Sequence, residues 1–92
     1  MTKVNIVRVR RDSRPSAVGA FISAQFVNQG QRSTIEVRAI GDQAISNAVV
    51  ATAMAIGFAA DDGVHLACKP VLIVVTEAGQ ERQGLSILVD PE

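Results

Sequence analysis

From Lys3 to Arg11 apolar and charged positions alternate with period two, Val7 and Val9 pointing one way and Arg8 and Arg10 the other, the pattern of a half-buried strand. The alternation slips at Ile6 and Val7, so a bulge or an unpaired start is expected there. In DSRPSAVGAFISAQFVNQG the period lengthens: Val18, Ile22 and Phe26 recur four apart, the stripe of a helix laid on a core. Ser13 is the candidate cap of that helix, Pro15 falls in its first turn, where a missing N–H costs little, and Gly30 marks its end. STIEVRAI restores period two, with Ile35, Val37 and Ala39 inward and Glu36 and Arg38 outward, and Asp42 is placed to cap the next helix. Beyond Asp61, Asp62 and Gly63, two long strands, Val64 to Thr76 and Arg82 to Asp90, join around Ala78 and Gly79. The pattern predicts a single α/β domain over residues 1–92, in βαβαββ order.

The second helix carries no charge between Asp42 and Asp61. At about 100° per residue its bulky groups fall on two opposed faces, Ile45, Val49 and Ile56 on one and Val50, Met54 and Phe58 on the other. Ala44, Ala48, Ala51 and Ala55 line a flank between them, where another backbone could come close. A helix apolar all round is buried all round, so one stripe is expected on the sheet and the other against the first helix or a second subunit. Gln43 to Ala60 is near the lower length limit for crossing a bilayer, but Gln43, Ser46, Asn47, Thr52 and the many alanines favour a buried helix, and no membrane contact is expected. Val71 to Val75 is apolar on both faces, which a strand wet on one side would not be, and Pro70 demands an edge or a bulge. A chain of 92 residues leaves much apolar surface uncovered as a monomer. Val50, Met54, Phe58, Ile73 and Val75 are therefore the candidate interface of a homodimer or larger homo-oligomer.

Charge sharpens the picture. Nine basic residues balance nine acidic ones, yet residues 1–46 hold seven basic against three acidic and the remainder two against six. Such asymmetry suits a patch that holds an anion without the overall basicity of a committed nucleic-acid binder. Arg8, Arg10, Arg11 and Arg14 share seven residues at the end of the first strand, and their planar forks suit bidentate phosphate contact. Arg38 extends the group if the first two strands are neighbours, as a parallel crossover makes them. The competing reading is a solvated face in which these arginines pair with Asp12, Glu36 and nearby acids. Arg82 is expected to pair with Glu81 or Glu77 across the hairpin turn.

Other chemistry finds little footing. The single cysteine excludes an internal disulfide and fits a reducing, cytoplasmic setting, and MTKVNIVRVRR lacks the apolar core of a secretion signal. His65 and Cys68, three apart on a strand, face opposite ways with no further histidine or cysteine to complete a metal set. A hydrolytic triad has no positioned histidine, and AIGDQA lacks the further glycines of a dinucleotide loop. Neither enzymatic activity, a cofactor, a metal nor a small-molecule substrate is expected. With no Tyr or Trp and Phe21, Phe26 and Phe58 on helices, nucleic-acid contact would be chiefly to backbone phosphate.

The run AIGDQAISNAVVATAMAIGFAADDGVHLACKP resembles the stage V sporulation protein S family, whose members share an AIG-x-x-A-[LI]-x-x-AV core, a GF, a GV-x-L-x-C-x-P strand and a closing V-[ED]-P. Here these are Ala39 to Gly41, Ala44 to Val49, Gly57 to Phe58, Gly63 to Pro70 and Val89 to Pro91, with Ser13, Pro15 and Val18 matching an upstream S-x-P-x-x-V. More distantly, GDQAISNAV is similar to the GRAISKAV element of Alba chromatin proteins. The resemblance implies a two-layer Alba-like sandwich with a mixed sheet and two helices. It also implies a dimer, presumed binding of DNA or RNA with low sequence specificity, and a role in sporulation or developmental gene control. In Alba the loop after the first strand carries basic residues that meet the DNA backbone, which places Arg8, Arg10, Arg11 and Arg14 in that role here. The chain departs from Alba at Asp42 and Asn47, where Alba is basic, and a carboxylate capping a helix occupies the donors a phosphate would take. It departs from closer relatives in the apolar VLIVV of its third strand. The alternative to nucleic-acid binding is a structural module that self-assembles through the second helix and that strand.

Overall fold

In the computed structural model, which describes residues 5–92, six elements follow in chain order: β1 (Asn5–Val9), α1 (Pro15–Val27), β2 (Ile35–Ile40), α2 (Asp42–Asp61), β3 (Leu66–Glu77) and β4 (Gln80–Pro91). The strands form one mixed sheet in the order β1-β2-β4-β3. β1 runs parallel to β2, with Val7 opposite Val37 and Val9 opposite Ala39. β4 lies antiparallel to both β2 and β3, placing Ile87 opposite Val37 and Cys68 opposite Val89. Period two does the rest. Val9, Ile35, Val37, Ala39, Ile87 and Val89 share the face on which both helices lie, and pack there with Ile22 and Phe26 of α1 and Ala44, Ala48, Ala55 and Ala59 of α2. The other face, with Arg8, Glu36, Arg38, Ile40, Ser86, Leu88, Val71, Ile73 and Val75, carries no helix. The βαβαββ order is the one the pattern predicts, and the two-layer sandwich is the one the resemblance implies.

The α2 burial differs from the two-stripe expectation. The fully buried line is the alanines, Ala48, Ala51, Ala55 and Ala59, while Val49, Val50 and Phe58 stay exposed and Ile45, Met54 and Ile56 are half-buried. The reason is the approach of α1. A β-carbon added at Gly19 would stand 2.9 Å from the Ala51 carbonyl oxygen and 3.0 Å from Met54 Cβ, so α1 at Gly19 lies directly against the α2 backbone between Ala51 and Ala55. The small flank thus takes the close contact, and the branched residues become its margins. α2 has the length and apolar composition of a membrane span, yet its alanine face is occupied by the sheet and α1.

Local details also move. The β1–β2 register runs unbroken from Asn5 to Val9, without a bulge, because Ile6 simply faces the helix-free side and is exposed. The expected start of the strand at Lys3 lies outside the described residues. Ser13 does not cap α1: Arg14 is the N-cap, and the Ser13 Oγ instead accepts the Arg10 amide at 2.8 Å. Asp42 does not cap α2 either. Gly41 is the N-cap at φ 92°, a conformation other residues resist, and Asp42 is the exposed first helical residue with no side-chain cap bond formed. Pro70 sits on β3, an edge strand, where a residue without an N–H is tolerated. Ala78 and Gly79, both at positive φ, turn the hairpin.

Candidate functional site

β1 ends at Val9, so Arg10 and Arg11 leave the sheet and enter a tight turn closed by the Ser13 amide donating to the Arg10 carbonyl at 3.1 Å. The turn is anchored from α2. Asn47, buried between them, donates through Nδ2 to the carbonyl oxygens of Arg10 (3.0 Å) and Arg11 (3.1 Å), and its Oδ1 accepts from Gln43 Nε2 at 3.1 Å. Asn47 has its side-chain hydrogen-bonding capacity largely used in holding the turn. Replacing it with alanine is expected to cost about 1–2 kcal/mol and to speed amide exchange at Ser13, read by urea unfolding and hydrogen exchange.

The parallel register sets Arg8 beside Arg38 on the helix-free face, at the carboxyl ends of β1 and β2. There a cleft of about 410 Å³ opens, lined by Arg8, Val9, Arg10, Arg11, Arg38, Ile40, Ala44, Glu77 and Arg82. Five guanidiniums face one carboxylate. Two of the five are engaged: Arg38 donates from Nε and Nη2 to Glu36 Oε2, both at 2.7 Å, and Arg82 Nη1 lies 3.1 Å from Glu77 Oε1. Ser86 Oγ donates to the same Glu36 oxygen at 2.9 Å, which fixes the carboxylate under Arg38. Among the described residues Arg8, Arg10, Arg11 and Arg14 form no ion pair. The structure therefore brings Arg8, Arg10, Arg11 and Arg38 to one opening and leaves Arg14, the N-cap of α1, outside its lining.

Three contributors to the cleft lay outside the sequence reading of the site. The sequence pairs Arg82 with Glu81 or Glu77, of which the Glu77 pair forms, but the Arg82 guanidinium also lies against the N-cap of α2: a β-carbon at Gly41 would be 2.9 Å from Arg82 Nη2. Glu77 and Asn47 are the others, and nothing in local spacing joins residues 47, 77 and 82 to residue 10.

The five candidate interface residues fall on two surfaces. Val50 (46% exposed) and Phe58 (37%) edge the helical layer and Met54 is half-buried beside Gly19, whereas Ile73 and Val75 lie half-buried on the helix-free face of the sheet. Among the described residues the strongest apolar exposure is on the helix-side face of β3, at Leu72 (68%) and Val74 (66%), which α2 does not cover. Between β3 and α2 runs a groove of about 220 Å³ lined by Val49, Thr52, Ala53, Ile56, Cys68, Pro70 and Ile87. Among the described residues no cluster of three His, Cys, Asp or Glu side chains that could hold a metal occurs.

A family model described as Stage V sporulation protein S (SpoVS) matches residues 5–92. Among solved structures, Alba from Thermoplasma volcanium superposes with a TM-score of 0.63 at 14% sequence identity, covering 96% of this chain and 99% of that one. At that identity the likeness establishes the fold, which is Alba-like.

Proposed function

The chain belongs to the stage V sporulation protein S family, and from that premise we propose that it is a cytoplasmic homodimer that binds nucleic acid in sporulation or developmental gene control, gripping backbone phosphate with the arginines of the β1–α1 turn. The observation that supports this reading is the gathering of Arg8, Arg10, Arg11 and Arg38 around one cleft, on a turn held by Asn47. Arginine's fork meets phosphate bidentately, and neither Arg8, Arg10 nor Arg11 is neutralised by an acid among the described residues. Asp42 is no obstacle of the kind a cap would be, since it forms no bond to the helix amides. Phosphate contacts carry no sequence information, so an affinity built on them depends little on sequence. The chemistry is binding, not catalysis.

Pairing of two copies is supported by the uncovered groove between α2 and β3, lined by Val49, Ala53, Ile56 and Pro70, and by the exposed Leu72 and Val74 of β3 and Val50 of α2. An open edge strand with exposed valines is a template for association unless a partner covers it. The same feature favours the second reading, self-assembly without nucleic acid. One experiment separates them: titration of a duplex at two salt concentrations, with sedimentation of the same sample. Nucleic-acid binding predicts log K falling with log salt by about 0.9 per phosphate neutralised. Val50→Glu with Val74→Lys is expected to reduce the dimer to a monomer in sedimentation while leaving it folded, since both side chains are exposed in the single chain. A monomeric parent would overturn the dimer, and a flat salt response would leave self-assembly standing alone.

A further inference from the structure

A duplex offers its phosphates one after another along a strand, whereas the cleft at the carboxyl ends of β1 and β2 concentrates five guanidiniums around one concavity. Its apolar lining is the half-buried Ile40, with the buried Val9 and Ala44 behind it. Its volume of about 410 Å³ falls in the range of about 300–1,000 Å³ common to small-molecule sites. Crevices at the carboxyl ends of parallel strands are the usual ligand positions of open α/β sheets. Arg82 adds a charge that the fold alone does not explain, because a cation held against the amino end of α2 is opposed by the helix dipole. Glu77 pairs with that cation at 3.1 Å and holds it there.

We infer that this cleft binds a nucleoside di- or triphosphate, with the phosphates among Arg8, Arg10, Arg11 and Arg38 and the nucleoside ring against Ile40, beneath the guanidinium planes of the rim. Guanidinium planes on the rim can also stack on a base, which gives the ring a hold without an aromatic side chain. Glu77 faces the cleft as an internal anion that keeps Arg82 occupied, so it sets the affinity of the site. Because these arginines are the ones proposed to grip nucleic acid, the nucleotide displaces it. That displacement rests on the nucleic-acid reading, whereas nucleotide binding by itself does not.

The test is calorimetric titration of the full chain with ADP, AMP and inorganic pyrophosphate. ADP is expected to bind, and both AMP and pyrophosphate to bind at least about tenfold more weakly, a difference of about 1.4 kcal/mol. Arg8→Ala with Arg11→Ala is expected to weaken ADP by a further factor of about ten or more, while Glu77→Gln strengthens it and Arg32→Ala, outside the cleft, leaves it unchanged. Absence of ADP binding at millimolar concentration, equal binding of pyrophosphate, or ADP binding that survives the double arginine variant overturns the site. In a second arm ADP is added to the duplex complex. Release of the duplex supports displacement, and a duplex that stays bound under saturating ADP overturns it. A protein that binds ADP but no duplex refutes the proposed function and the displacement together, leaving the nucleotide site established.

Discussion

Replacing Arg8, Arg10 and Arg11 together by glutamate is expected to weaken duplex binding at least about 100-fold, because charge-assisted contacts contribute about 1.5–3 kcal/mol each. The residual binding should also lose salt dependence, by about 0.9 in log–log slope for each phosphate contact removed. The fold should be indifferent to the change. All three side chains are exposed and form no ion pair among the described residues, and what Asn47 and Ser13 hold is the main chain of Arg10 and Arg11, which the substitutions keep. A gel-shift or anisotropy titration, run beside a thermal melt, reads both halves. Binding retained with an undiminished salt slope would refute the assignment of these arginines. Arg14→Glu alone, outside the cleft lining, is expected to have the smaller effect.

The second large effect concerns stability. Gly19→Leu is expected to destabilise the fold by about 3 kcal/mol or more, beyond the usual overpacking cost of about 1–3 kcal/mol. The atoms a side chain would meet are largely backbone: the Ala51 carbonyl oxygen at 2.9 Å and the Ala55 amide nitrogen at 3.3 Å. Backbone cannot rotate aside as a flexible side chain does, so α1 would have to lift from α2 and open the alanine contact along its length. Gly19→Ala is the finer test. Helix propensity favours alanine by about 1 kcal/mol, yet its β-carbon alone makes the contact, so a net loss in urea unfolding is expected. A neutral or stabilising Gly19→Ala would mean that the helices are not in contact here.

Much of the architecture is readable along the chain, and for a definite reason. Period two in Val7–Val9, Ile35–Val37–Ala39 and the strand before Pro91 states which side of its own strand each residue faces, and the four-residue spacing of Val18, Ile22 and Phe26 does the same for α1. Pro70 marks an edge because its chemistry forbids a second neighbour's bond. Such signals are local, and they specify the βαβαββ order and the inward set without reference to partners. The clustering of Arg8, Arg10 and Arg11 is equally local, since it lies within a few residues.

What faces each element is another matter, and only the tertiary structure decides it. The sequence marks α2 as apolar all round, but the choice of its alanine line over its branched stripes depends on Gly19, far away in α1. The cleft needs residues from β1, β2, α2 and the β3–β4 hairpin, whose meeting is set by strand order and register. Asn47 reads as a helix position lacking Alba's lysine until the fold places two carbonyl oxygens within its reach. Periodicity encodes a residue's direction relative to its own backbone axis. Contact between elements depends on how far apart those axes settle once their smallest side chains meet, and that distance is a property of the packed pair.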